Sequence, residues 1–91
     1  MIVTKLDQRY SGWYVYPYMV EPLKGTRYSL DRRNEFLVWR TWCWDAFGPG
    51  MERDFAVAAD EKPVWAWYSE NAKFRIYVTE PALTLFKLKW V

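Results

Sequence analysis

Without histidine, acid–base work at neutral pH would fall to carboxylates, tyrosines, lysines or the one cysteine of this chain. Its eleven Asp and Glu residues are scattered. Only Glu52 with Asp54, and Asp60 with Glu61, stand close in sequence, and both pairs fall in the charged stretch Pro49 to Lys62. Such pairs could serve a hydrolase or hold a divalent cation, but the ordinary reading is a solvated loop. Cys43 sits between Trp42 and Trp44. A free cysteine in apolar company is usually packing, because its chemistry needs a basic partner to lower its pKa. Gly48-Pro49-Gly50 lacks the Lys and Ser/Thr of a phosphate-binding loop and reads as a helix stop. The expectation is a protein that is not an enzyme, with no catalytic residue, no metal and no cofactor.

What the chain has in surplus is rings: seven Trp, seven Tyr and five Phe among 91 residues. Aromatic side chains dominate the energetics of cores and interfaces, so the chain looks built to pack and to bind. Alternation along Gly12–Glu21 puts Tyr14, Tyr16 and Tyr18 on one strand face, and Arg75 and Tyr77 share the outer face of another. On a sheet open on one side, these five residues form an aromatic and basic platform. It could stack unpaired bases, or anchor a protein interface, where Tyr, Trp and Arg are the usual hot spots. The alternative use of the same rings is to cover the sheet of a small domain or to form a homodimer interface.

The elements that must position these residues follow from pattern. Gly12–Glu21 is dense in strand formers, with Pro17 marking it as an edge or bulged strand. Glu21-Pro22-Leu23-Lys24-Gly25 reads as a turn. A helix is expected from an Asp31 N-cap to Phe47, closed by Gly48 in the left-handed conformation and by Pro49. Phe36, Trp39, Trp42, Cys43, Ala46 and Phe47 gather on its broad face, while Leu37 and Trp44 fall to the side and need a second neighbour. Arg32 and Arg33 run against the dipole of the first turn. Pro49–Lys62 reads as a loop with a short helical turn, Pro63–Tyr68 as a strand, and Glu70–Lys73 as a hairpin turn into Phe74–Val78. The last twelve residues fit either a helix beginning at Thr79 or a strand; a short helical turn passing into a final strand is expected, with Lys87 and Lys89 guarding its edge.

The order β–α–β–β with a short C-terminal helix or strand predicts a single α+β domain over residues 1–91. One main helix packs on one face of an antiparallel sheet, with a ferredoxin-like split βαβ as the natural candidate. A formal charge of +2 is too small to argue for duplex DNA. One cysteine excludes an intramolecular disulfide, and no apolar run or signal-type N-terminus suggests a membrane, so the cytoplasm is the expected setting.

Five pieces carry a resemblance: Trp42-Cys43-Trp44, Phe47-Gly48-Pro49, Trp65 with Trp67, Arg75-Ile76-Tyr77, and Leu85-Phe86-Lys87-Leu88-Lys89-Trp90. From Phe36 to Val91 the chain resembles a family of small bacteriophage proteins, mostly of unknown function. The resemblance implies a phage origin and the cytoplasm of a host cell, and brings no catalytic or binding residues with it. Together with the aromatic surplus it predicts an accessory protein that binds and modulates a host protein, in defence or nucleic-acid processing. A single-stranded nucleic-acid binder using the tyrosine face is the first alternative, and a small virion or assembly component the second.

Overall fold

The computed structural model describes residues 1–23, 29–71 and 73–90. Five strands and three helices follow in the order β1 (Ile2–Lys5), β2 (Tyr18–Glu21), α1 (Ser29–Phe47), β3 (Met51–Glu52), α2 (Arg53–Ala58), β4 (Trp65–Glu70), β5 (Lys73–Val78) and α3 (Glu80–Trp90). They build one sheet of order β1-β2-β5-β4-β3, antiparallel throughout except for β3 beside β4. The α+β class expected from the sequence is the one observed. β2, α1 and β3 form a split βαβ unit, since β2 and β3 run parallel with β5 and β4 between them, and α2 then leads from β3 to its parallel neighbour β4. The strand flanking that unit beyond β2 is the N-terminal β1.

α1 ends as its sequence dictates. Gly48 takes φ +84°, and its N–H donates to the Trp44 carbonyl at 3.0 Å. The helix starts two residues before the expected N-cap, so Asp31 lies within the first turn, where its charge still complements the dipole. α1 and α3 cover one face of the sheet. Phe36, Trp39 and Cys43 from α1 and Ala82, Leu83 and Phe86 from α3 pack on Val20, Trp65, Phe74, Ile76 and Val78. Trp39 and Phe86 meet edge to face at 5.4 Å, and Trp42 meets Phe47, Phe86 and Trp90 in the same manner. Ala46, expected on this face, is exposed.

Gly48-Pro49-Gly50 shapes the seat of Trp65. The Trp65 indole N–H donates to the Gly48 carbonyl at 2.9 Å, and a Cβ on Gly50 would stand 2.5 Å from the Trp65 ring.

The second face is covered as well. Leu6, Tyr16, Met19, Ala56, Ala66 and Tyr77 form a smaller core beneath the β1–β2 connection and α2. A sheet open on one side, which the tyrosine platform required, is therefore not what this chain builds over that half.

Three expectations are corrected. Gly12–Pro17 is not strand. Residues 8–15 fold into turns, with Gly12 at φ +82° and its carbonyl accepting from the N–H groups of Val15 and Tyr16, both at 2.9 Å. Proline has no N–H to give a ladder, and β2 begins at the residue after Pro17. Nor is that strand an edge: it lies between β1 and β5, and the edge is β1, whose short apolar run carried no turn signals to mark it. Finally, the C-terminal segment is one helix to Trp90, and among the described residues no strand follows it. Ala82, Leu83, Phe86 and Trp90 recur at helical spacing, and the Leu83 N–H bonds the Thr79 carbonyl at 2.9 Å. Lys87 and Lys89 thereby sit in a last helical turn, where they favour the dipole.

The hairpin is as expected, with Glu70 opposite Lys73 and Asn71 at φ +53°. Ala72 of that turn, and Lys24 and Gly25 of the turn after β2, lie outside the described residues.

Candidate functional site

The five residues of the expected platform are not assembled into one surface. Tyr14 lies in the turn before Pro17, 65% exposed, edge to face with Trp13 at 6.4 Å. Tyr16 is wholly buried, and its hydroxyl donates to the Pro63 carbonyl at 2.6 Å. Burial pushes its pKa up to about 12. Tyr18 packs on the opposite, helix-covered face, since the turn before β2 breaks the alternation that would have aligned it with Tyr16. Tyr77 is 1% exposed, so its ring is closed to a stacking ligand.

Arg75 and Tyr77 do come together, in a cluster that spans β2, β4, β5 and the start of α2. The Arg75 Nε donates to the Glu21 carboxylate at 3.4 Å, and the guanidinium lies 5.8 Å from the Tyr68 ring centre. Arg53 reaches over from α2 to Tyr68 and Tyr77, 5.3 and 5.4 Å from their rings. It donates to the Tyr77 hydroxyl at 3.2 Å and pairs with Asp54 at 3.0 Å. The Tyr68 hydroxyl donates to Glu70 at 3.2 Å, and that bond raises the Tyr68 pKa. Burial works against the charge of Arg75 and of Arg53, yet both are held above their ordinary value. Tyr77 and Glu21 outweigh burial at Arg75, and Tyr77 and Asp54 at Arg53. Each guanidinium thus already has an anion and a ring. The cluster is a polar staple across the second face: alternation on β2, β4 and β5 puts Glu21, Tyr68 and Arg75 on the side of Tyr77, and Arg53 joins them from the start of α2.

The carboxylates of residues 52–61 do not converge. Asp54 is tied to Arg53, Asp60 and Glu61 are exposed, and among the described residues no three Cys, Asp or Glu side chains gather as a metal site would need. Cys43 is fully buried, and burial pushes its thiol up to about 12, so it is protonated at neutral pH.

Tyr14, Phe55 and Trp13 are exposed outside any cleft-lining group of rings, whereas on the outer side of α1 open ring area lines a cleft. Trp44, set aside by the helical wheel as needing a neighbour, finds Trp65 and Trp67 at 6.2 and 6.4 Å and stays 47% exposed. Arg40, Thr41, Trp44, Asp45 and Trp67 line an open cleft of about 490 Å³. Arg40 lies over the rings of Trp67 and Phe36, at 5.5 and 5.7 Å, which fixes its guanidinium at the cleft wall. Thr41 and Asp45 also line a second cleft of about 460 Å³, which runs between α1 and α3 beside Val38, Trp42, Lys89 and Trp90. The buried Trp90 indole N–H has no hydrogen-bond partner among the described residues. The spacing of Leu37 and Trp44 on the helix was the signal for this surface. Trp67 could not be added to it from sequence, because that requires knowing that β4 passes beneath the same side of α1.

Among the described residues no helix is long and apolar enough to cross a membrane. No protein-family model, no curated protein and no solved structure matches the chain.

Proposed function

We propose that this chain is a non-enzymatic binding protein that docks on a partner protein through the tryptophan ridge of α1. The observation that carries the reading is Trp44, a tryptophan left 47% exposed in the last turn of α1, where it lines an open cleft with Arg40 and Trp67. Trp and Arg in partly desolvated pockets are the side chains that carry binding energy at protein interfaces. The expected tyrosine platform is replaced in this reading, because Tyr16 and Tyr77 are spent on the core.

The bacteriophage resemblance supplies the setting, in which the partner is a protein of the bacterial host and binding modulates it. The test is affinity capture from bacterial lysate, with and without nuclease, comparing wild type with Trp44→Ala and Arg40→Ala. A stoichiometric protein that survives nuclease and is lost with Trp44→Ala, while circular dichroism of the variant is unchanged, supports the reading. Material that disappears with nuclease turns it toward single-stranded nucleic acid. Capture unaffected by both substitutions refutes the ridge.

A further inference from the structure

The two edges of the sheet are treated differently. At one end β3 is two residues long, follows Pro49, carries Glu52 and runs directly into α2, so little of its outer side can template another strand. At the other end β1 is four residues, Ile2-Val3-Thr4-Lys5, three of them β-branched, with no proline and its one charge at the end. β2 pairs along the whole inner side of β1, and among the described residues no strand pairs with the outer side of β1. Unpaired N–H and C=O groups on such an edge are a ready site for strand addition.

We propose that the occupant is a second copy of this chain, with β1 pairing to β1 antiparallel about a two-fold axis through Val3. Symmetry limits the register. A two-fold axis normal to the sheet keeps each face on its own side, so a residue can pair only with one of the same alternation. Val3 and Lys5 are opposite Val20 and Tyr18, which belong to the helix-covered face, while Ile2 and Thr4 belong to the other. With the axis at Val3, Val3 meets Val3 of the second copy, Ile2 meets Thr4, and Met1 meets Lys5. The two lysines are thereby kept from facing one another, and a β-branched pair sits at the centre. Met1 and Val3, only partly buried against the helix-side core, gain cover on that side. Four residues per copy is small against the ~1,200 Å² of a stable interface, so the dimer is weak and depends on concentration. This surface is separate from the α1 ridge, and neither proposal rests on the other.

The test is sedimentation of the wild-type chain from about 10 µM to about 1 mM, with two cysteine variants under mild oxidation. Opposed residues in an antiparallel pair lie ~4.5–5.5 Å apart at Cα, within reach of a disulfide. Val3→Cys should give a covalent dimer, because the new thiol faces its own copy at the axis. Thr4→Cys faces Ile2 instead and should cross-link at least ~10-fold more slowly. Cys43 is fully buried and does not compete. Val3→Lys sets like charges opposite each other and should leave only monomer. A chain that is monomeric at every concentration overturns the proposal. So does a dimer that Val3→Lys leaves intact, or one that cross-links equally through both cysteine positions.

Discussion

Gly50→Ala adds one methyl group, and the structure says where it goes. The new Cβ would lie 2.5, 2.7 and 2.9 Å from three atoms of the Trp65 ring, all closer than real Cβ contacts come. Trp65 cannot easily turn away. It is wholly buried, its N–H is held by the Gly48 carbonyl at 2.9 Å, and Trp44 and Trp67 lie against it at 6.2 and 5.5 Å. Overpacking of this kind costs ~1–3 kcal/mol. For a domain of this size that lowers Tm by about 5–20 °C. Gly48→Ala is the matched comparison, since nothing lies within 4 Å of its Cβ direction and its cost comes only from φ +84°. That conformation costs a side chain ~1–2 kcal/mol, and Gly48→Asn should recover part of it. The assay is thermal and urea unfolding followed by tryptophan fluorescence, with near-ultraviolet circular dichroism reporting on Trp65 in the folded state. Gly50→Ala should lower Tm and also change the near-ultraviolet spectrum; Gly48→Ala should lower Tm and leave the spectrum alone. A Gly50→Ala protein within about 1 °C of wild type, with an unchanged spectrum, refutes the packing argument.

Three further outcomes are expected. Tyr16 and Cys43 both have folded pKa values pushed up to about 12, from ordinary values of 10.0 and 9.0, so the folded protein holds their protons after the unfolded chain has released them. Their contribution is fully present below pH 9 and is lost as pH rises toward 12; Cys43→Ala should make the alkaline decline in urea midpoint shallower, beginning near pH 10 instead of 9. Tyr16→Phe removes the donor to the Pro63 carbonyl and should cost ~1–3 kcal/mol by urea unfolding, with no change in fold by circular dichroism. Arg75→Met leaves the buried Glu21 carboxylate without its cation and should destabilise by ~1–3 kcal/mol, which the double variant with Glu21→Gln should partly restore.

What was legible in the sequence was whatever local chemistry decides. α1 announced both its core face and its end, because helical spacing and a glycine stop act within one turn of the chain. The β4–β5 hairpin was legible for the same reason. The tyrosines were not. Tyr14, Tyr16 and Tyr18 alternate well in the letters, but Pro17 and the turn at Gly12 reset the chain between them, and a contact with Val57 fixes that turn: a Cβ on Gly12 would come within 2.5 Å of Val57. Nothing near Tyr16 in sequence says that it will bond Pro63, forty-seven residues away. The binding surface was half legible. The helix showed Trp44 without a place in the core, and only the sheet order could supply Trp67.

The strand at the middle of this sheet is the last of its five described strands to be made. β5 lies between β2 and β4, and Tyr18 must wait for Val78. Until residues 73–78 exist, β1–β2 and β3–β4 are two fragments with a gap between them, and α1 has a tryptophan-rich face with only part of a floor. A two-strand ribbon of four residues a side is not stable alone. Assembly of this sheet is therefore expected to wait for β5, governed by closing long loops instead of growing outward strand by strand. The nascent chain carries the rings of its sheet and of α1 in the open until β5 has been made.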